Sequence, residues 1–391
     1  MDRRKFIRLA GGGAILAATS ALISGCSSAY PDQALEAWQG PGLEADPRRW
    51  ALSHAITAPN PHNLQPWIAD LREPGVILLR TDRQRVLPET DPFGRQILIG
   101  HGALLELLVI ALAEKGFDSE VSLWPEGELG ADLKGWDDRP VARVILKPGA
   151  KADPLFAQIL KRHTPKSDFD TQRLVSQSTL DGLLATTKAE GHALHTGGTI
   201  DPVRLEALRN LCWQSAQIEL TTARTVMESI RLTRVGPAEI LKHRDGISIN
   251  SLMVRTIDAL GMFDRSQPPA PDSQAHKAMM SRFEGHSRTA MGFVWLSGEN
   301  SRASQIAAGR AYVRLQLKAT EMGLGVHPMS QALQEFAEMA PHYANAHQLI
   351  IGKPAPSNAS DETVQMLCRI GYTSAPSPAT PRRPLDAFIK T

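Results

Sequence analysis

Gly102-Ala-Leu-Leu-Glu-Leu-Leu-Val-Ile-Ala-Leu-Ala-Glu-Lys-Gly116 and Gly309-Arg-Ala-Tyr-Val-Arg-Leu-Gln-Leu-Lys-Ala-Thr-Glu-Met-Gly323 repeat one pattern in two distant parts of the chain. In each copy fourteen positions separate the glycines, and Leu108 matches Leu315 as Glu114 matches Glu321. The residues between are strong helix formers with apolar side chains at helical spacing, and the closing glycine suits a helix C-terminus. After a stretch of variable length each copy is followed by a β-type run, at 141–146 and at 366–370. A unit present only twice cannot build a solenoid. The pattern predicts an α+β fold of two fused, related halves, residues 27–150 and 151–391, packed as a pseudo-dimer within one chain. The turn-rich stretch 147–154 joins them. Residues 264–273 carry three prolines and read as a loop, and the proline-rich 374–384 as extended surface chain.

The chain has 391 residues, 42% hydrophobic and 21% charged, with a formal net charge of +2. That balance suits an ordinary globular core and gives no footing for nucleic-acid binding. The N-terminus differs in character. Asp2-Arg3-Arg4-Lys5-Phe6-Ile7-Arg8 resembles a twin-arginine export signal, and the weakly apolar run from Leu9 to Ile23 is too short for a membrane span. It ends in Ile23-Ser24-Gly25-Cys26, which resembles a lipobox with Cys26 as the lipidated residue. The expectation is export by the twin-arginine route to a periplasmic or other extracytoplasmic place, held by a lipid anchor. Export in the folded state suits a protein that takes up a non-covalent cofactor beforehand. Cys212 and Cys368 could pair or remain buried free thiols. No metal-ligand spacing is present, and His342 and His347 read as surface or capping residues.

Ahead of the first repeat lies Ala58-Pro59-Asn60-Pro61-His62-Asn63-Leu64-Gln65-Pro66-Trp67, a loop dense in proline and side-chain amides. Such a loop can offer a flat heterocycle several hydrogen-bond partners without adding charge. It resembles the Pro-Ser-x-x-Asn-x-Gln-Pro-Trp signature of the nitroreductase family. Pro59 and Asn60 stand where the family has Pro-Ser, and Asn63 and Gln65 occupy its amide positions. Residues 160–169 resemble the family's Arg-x-Ser-x-Arg/Lys element. In that match Arg162 is the phosphate-binding arginine, Thr164 keeps the hydroxyl, and Lys166 is the basic residue near the ring. Residues 323–331 resemble the segment on one flavin face; by that match Pro328 and Met329 would line the ring, with Ser330 or Gln331 donating an amide to flavin N5. Residues 381–389 resemble the closing Arg-x-Pro-Leu motif, for which Arg382 and Arg383 are equal candidates. With further echoes at 89–95 and 290–296, the order of motifs resembles the Acg-type FMN-binding subgroup over most of the chain after about residue 45.

The resemblance implies FMN as cofactor, one per chain, because the second half carries the phosphate element, the N5 segment and the closing arginine while the first carries the amide loop. It implies a monomeric oxidoreductase that passes electrons to quinones, nitroaromatics or similar flat acceptors, with no catalytic side chain and no resident metal. The electron donor is unknown; outside the cytoplasm a membrane-associated donor would replace a nicotinamide. The alternative is a non-catalytic lipoprotein that binds or sequesters flavin.

Overall fold

The structure is a computed structural model that describes residues 29–187 and 194–390. The twin-arginine pair, the apolar run and Cys26 lie outside the described residues. The first half comprises α1 (Pro47–Ala55), β1 (Trp67–Asp70), β2 (Val76–Thr81), α2 (Arg95–Glu114), β3 (Phe117–Leu123) and β4 (Ala142–Pro148). The second begins with α3 (Gln177–Leu184), β5 (His195–Thr199), α4 (Pro202–Thr221), α5 (Ala223–Arg231), β6 (Thr233–Val235), α6 (Gly236–His243) and β7 (Ile247–Ile249). It continues with α7 (Leu252–Ala259), α8 (Gln274–Arg288), β8 (Gly292–Glu299), α9 (Arg302–Glu321), β9 (Gly325–Pro328), α10 (Ala340–Ile351) and β10 (Glu362–Gly371). A final strand, β11 (Ile389–Lys390), closes the chain.

The duplication read from the two helices extends to the topology of both sheets. In each half two strands precede the long helix and two follow it, and the orders β1-β2-β4-β3 and β5-β8-β10-β9 correspond strand for strand. All neighbours within these sets are antiparallel. Two departures break the symmetry. The second half inserts α4 to α8, with the parallel pair β6–β7, between its first two sheet strands. The first half gains an edge from the far end of the chain, where β11 runs parallel to β1 with Ile389 opposite Ala69.

The glycines of the repeat explain themselves in this frame. A Cβ on Gly102 would fall 2.1 Å from the carbonyl oxygen of Ile306, and one on Gly309 would fall 2.0 Å from that of Ile99. Each oxygen belongs to the residue three before the other glycine, so the contact between α2 and α9 is reciprocal, as at a two-fold dimer interface. Only glycine lets the two backbones approach so closely. The closing glycines, Gly116 and Gly323, take left-handed φ of 79° and 66° just past the ends of α2 and α9.

α2 is apolar around most of its circumference because it is sandwiched. Although long and apolar enough to cross a membrane, 83% of its apolar window is buried inside the protein. Ile97, Leu104 and Leu108 share a core with Trp67, Ile77 and Val144, while Ala311, Tyr312 and Leu315 of α9 share a second with Leu296, Met366 and Ile370. Arg95, at the start of α2, ties the halves by polar contacts. Its Nε donates to Glu335 at 2.9 Å and its Nη1 to Gln365 at 2.7 Å. Replacing Arg95 by Met leaves both acceptors in a largely dry interface and is expected to cost about 3–5 kcal/mol. Urea unfolding measures it, and an unchanged midpoint would refute this role.

His347 is not a surface or capping residue: it is fully buried, with Nδ1 2.8 Å from the Tyr343 carbonyl and Nε2 2.8 Å from Thr363 Oγ1. The inner stripe of α10 runs Tyr343, Ala346, His347, Ile350, and the imidazole sits on it with both nitrogens satisfied. Cys212 and Cys368 are buried free thiols. The 264–273 loop is tied down by Arg265, which donates to Glu239 and Asp258 at 2.9 Å each.

Candidate functional site

α1 leads directly into the amide-rich loop, and the loop is held in an unusual shape. His62, Asn63 and Gln65 have φ of 48°, 53° and 55°. Left-handed backbone at such residues costs about 1–3 kcal/mol each and persists only where the surroundings over-determine it. The restraint comes from nearby and from far along the chain. Asn60 Oδ1 accepts from the Gln65 amide at 2.8 Å, and Asn63 accepts from Arg382 at 2.6 Å while donating to the Pro381 carbonyl at 2.9 Å. Gln65 donates to the Arg244 carbonyl and accepts from the Arg383 amide, both at 2.9 Å. The side-chain amides of Asn63 and Gln65 are therefore spent inside the protein, where they set the form of the loop.

Two arginines meet at the start of this loop. The Thr57 carbonyl accepts from Arg162 at 2.8 Å and from Arg382 at 3.0 Å. Arg382 distributes its remaining donors over Ile56, Ala58, Asn63 and Thr380. Arg162 bonds Gln316 at 2.6 Å and Thr164 at 3.3 Å, but its buried Nε finds no partner. The Trp38 ring lies 5.7 Å from the Arg162 guanidinium and 5.2 Å from that of Arg382. Arg383 sits apart, donating to the Gln65 carbonyl at 2.7 Å with its guanidinium 4.3 Å from the Phe388 ring.

The electrostatics of this region are one-sided. Burial pushes Arg162 down to about 10, and burial together with Arg162 pushes Arg382 to about 9. Lys166 is pushed to about 8 by burial and then by Arg282 and Arg382. The partners of Arg162 and Arg382 are carbonyls, amides and hydroxyls, with no carboxylate among the described residues. Lys166 is exposed at the surface, yet its neighbours desolvate the ammonium and Arg282 and Arg382 crowd it with like charge.

Histidines line the same region. His286 Nε2 lies 2.9 Å from the Lys166 carbonyl, its ring is 5.0 Å from that of His327, and Arg369 Nε donates to His327 Nδ1 at 2.9 Å. His62 Nε2 lies 2.9 Å from Ser229 Oγ. Burial, reinforced by the neighbouring cations, pushes His62 to about 4, His286 to about 3 and His327 well below its ordinary value. At neutral pH these rings carry no charge, and the positive potential comes from Arg162, Lys166, Arg382 and Arg282.

The 328–331 segment follows His327. Pro328 closes β9 opposite Cys368, and Met329 is 2% exposed in a core with Leu205, Phe293 and Leu367. Only the backbone of Met329 can therefore line a ligand. The backbone N–H groups of Ser330 and Gln331 meet no acceptor among the described residues. Arg162, Thr164, Lys166, Asn63, Arg382 and His327 thus converge, with residues 328–331 following directly on His327 in the chain, while Gln65 and Arg383 stand behind the loop as braces. Pro59 and Asn60 are half-buried at the loop's start. The site also includes His62, Arg282, His286 and Trp38, to which the sequence reading assigned no role. His62 lay inside a recognised motif, but Arg282 and Trp38 carry no local signal.

Unpartnered donors and uncompensated cations suit an anionic, phosphate-bearing ligand. Among the described residues no grouping could hold a metal ion, and the thiols are buried, Cys212 being pushed up to about 12.

No family model matches the sequence. The chain is 28% identical over 346 residues, 86% of its length and 93% of the relative's, to a Mycobacterium tuberculosis protein named "Putative NAD(P)H nitroreductase acg". A second protein of that organism, named for the same activity, is 24% identical over 360 residues, covering 89% of this chain and 92% of the relative. Among solved structures, the FMN-dependent nitroreductase NfnB of Mycobacterium smegmatis in complex with NADPH matches with 17% identity and a TM-score of 0.36, over 60% of this chain and 96% of that one. At that score the likeness carries no argument.

Proposed function

We propose that the chain is an FMN-binding oxidoreductase of the nitroreductase superfamily, reducing flat electrophiles such as quinones and nitroaromatics, with one flavin held between the halves. The observation that carries this reading is the group Arg162, Lys166 and Arg382, buried or desolvated without a carboxylate, beside a loop pinned in left-handed backbone. Uncompensated buried cations are costly, and a phosphate dianion supplies the missing charge. In this reading Arg162, through its free Nε, holds the phosphate with the Thr164 hydroxyl, and Lys166, which the family resemblance sets nearer the ring, reaches the phosphate as well because its charge has no carboxylate partner among the described residues. Arg382 positions the 56–63 backbone, and the N–H groups of Ser330 and Gln331 offer donors to the ring edge. Bound FMN supplies two-electron redox chemistry, which the protein tunes through charge and hydrogen bonds. The names of the relatives favour NAD(P)H as donor; a reductant in the membrane is the other source that this reading admits. Residues 27–150 and 151–391 are the proposed fused units, and Arg3-Arg4 with Cys26 the proposed export signal and anchor.

Purified protein is expected to be yellow, and its dithionite-reduced form to be reoxidised by a quinone without oxygen. Colourless protein that fails to quench FMN fluorescence would overturn the reading. Yellow protein that no quinone or nitroaromatic reoxidises would leave a flavin carrier in place of an enzyme.

A further inference from the structure

We propose that the face formed by α7 and the residues just after it, 252–262, rests on a lipid bilayer, held there by the anchor at Cys26. The proposal rests on Cys26 being lipidated and is independent of the flavin reading.

Of the seven large apolar side chains that stand exposed among the described residues, three fall here: Met253, Leu260 and Met262, at 68%, 68% and 71% exposure. Met253 and Leu260 are seven apart and so share one face of the helix and its last turn. α7 buries none of its residues fully, while Val254 and Ile257 are half-buried against the body. A groove of about 410 Å³ runs beside it, lined by Val235, Gly236, Leu252, Arg255 and Leu260 among others, and includes none of Arg162, Lys166 and Arg382. Isolated apolar side chains on a surface need no explanation, but a cluster marks a place where something apolar docks.

The path of the N-terminal chain identifies the occupant. The Ala29 carbonyl accepts from Asn250, and the Tyr30 hydroxyl donates to the Ser248 carbonyl at 3.1 Å. Ser251, the N-cap of α7, comes next. The start of the described chain is thus fastened to the residues that open α7. Cys26 precedes Ala29 by three residues, and three residues reach at most about 11 Å. On so short a tether, lengthened only by the cysteine side chain and its glyceryl linker, acyl chains on Cys26 would enter a bilayer close to Ala29, which brings the surface beside α7 next to the membrane. The face itself carries one Arg and one Asp, Arg255 and Asp258, and so no net charge to repel headgroups, and the methionines and leucine can enter the acyl boundary.

The test uses the mature lipoprotein reconstituted in phosphatidylglycerol vesicles that contain bromine-labelled acyl chains. A fluorophore is attached at Met253→Cys or Met262→Cys, with Leu174→Cys and Val203→Cys as exposed controls. Lipid quenching at 253 and 262 is expected to exceed that at the controls by about twofold or more. Equal quenching at all four sites, or none at 253 and 262, overturns the proposal. So does burial of the 253 label by self-association without lipid quenching, which would make a second copy the occupant. Intact mass showing no acyl group also overturns it, and separates failure of the anchor from failure of the face.

Discussion

Gly309→Ala is expected to destabilise the protein by about 3 kcal/mol or more, although Ala is the better helix former by about 1 kcal/mol. The added Cβ would meet the Ile99 carbonyl oxygen at 2.0 Å, its carbon at 2.8 Å and the Ala103 nitrogen at 2.9 Å. These are backbone atoms of a buried helix and cannot swing aside. Overpacking a well-packed core usually costs about 1–3 kcal/mol. Here relief requires the two central helices to part along their length. Gly102→Ala makes the same demand from the other side, through the Ile306 carbonyl at 2.1 Å. Because both changes force one separation, the double variant is expected to cost clearly less than the sum of the singles. Urea unfolding of the three variants measures this. Stabilisation by either single change would show that the helices do not meet at these glycines.

Lys166→Met is expected to weaken FMN binding by about 10–100-fold at neutral pH, the worth of one charge-assisted hydrogen bond to phosphate. The apo-protein should be no less stable, since the change removes a desolvated ammonium that the fold does not neutralise. The pH dependence follows from the same group. Its pKa in the folded protein lies near 8, below the ordinary lysine value of 10.5, because burial and the cations Arg282 and Arg382 disfavour its charge. Between these values the unfolded chain holds a proton that the folded chain has released, so Lys166 disfavours folding least at high pH. Binding of a phosphate runs the other way. It requires the ammonium, so affinity should fall as pH rises beyond about 8, and Lys166→Met should flatten that fall. FMN fluorescence titrations from neutral to alkaline pH would decide. Equal affinity and equal pH slope in the two proteins would remove Lys166 from the phosphate site. Arg162→Met should also lose affinity, but it unfolds more easily, because the Thr57 carbonyl and Gln316 lose a buried donor.

How far the sequence could be read depended on how local each constraint was. Gly102, Gly116, Gly309 and Gly323 were legible because close helix contact and left-handed φ each demand glycine at one position. Arg162, Thr164 and Lys166 stand out in the sequence as a spaced set within five residues, and the first two meet at 3.3 Å. The roles of Asn63 and Gln65 were not legible, since their partners, at 381 and 383, lie 318 residues further along the chain. Nor was Arg282, which sits one turn before His286 on an ordinary polar helix and joins the cationic group through the packing of α8. His347 misled because a histidine among helix formers looks solvated until Thr363 and Val364 are brought against it.

The parallel pairing of β11 with β1 has a consequence for how the protein is made. Every other strand of the first sheet has left the ribosome once residue 148 emerges, yet the open side of β1 stays bare until residues 389–390 arrive. A nascent chain therefore carries an unsatisfied strand edge while the 240 residues from 149 to 388 are made, the kind of edge that recruits other chains. The same late segment brings Arg382 to the loop at 56–63. Sheet closure and completion of the loop's scaffold thus both await residues 382–390, and a chain without them would lose both together.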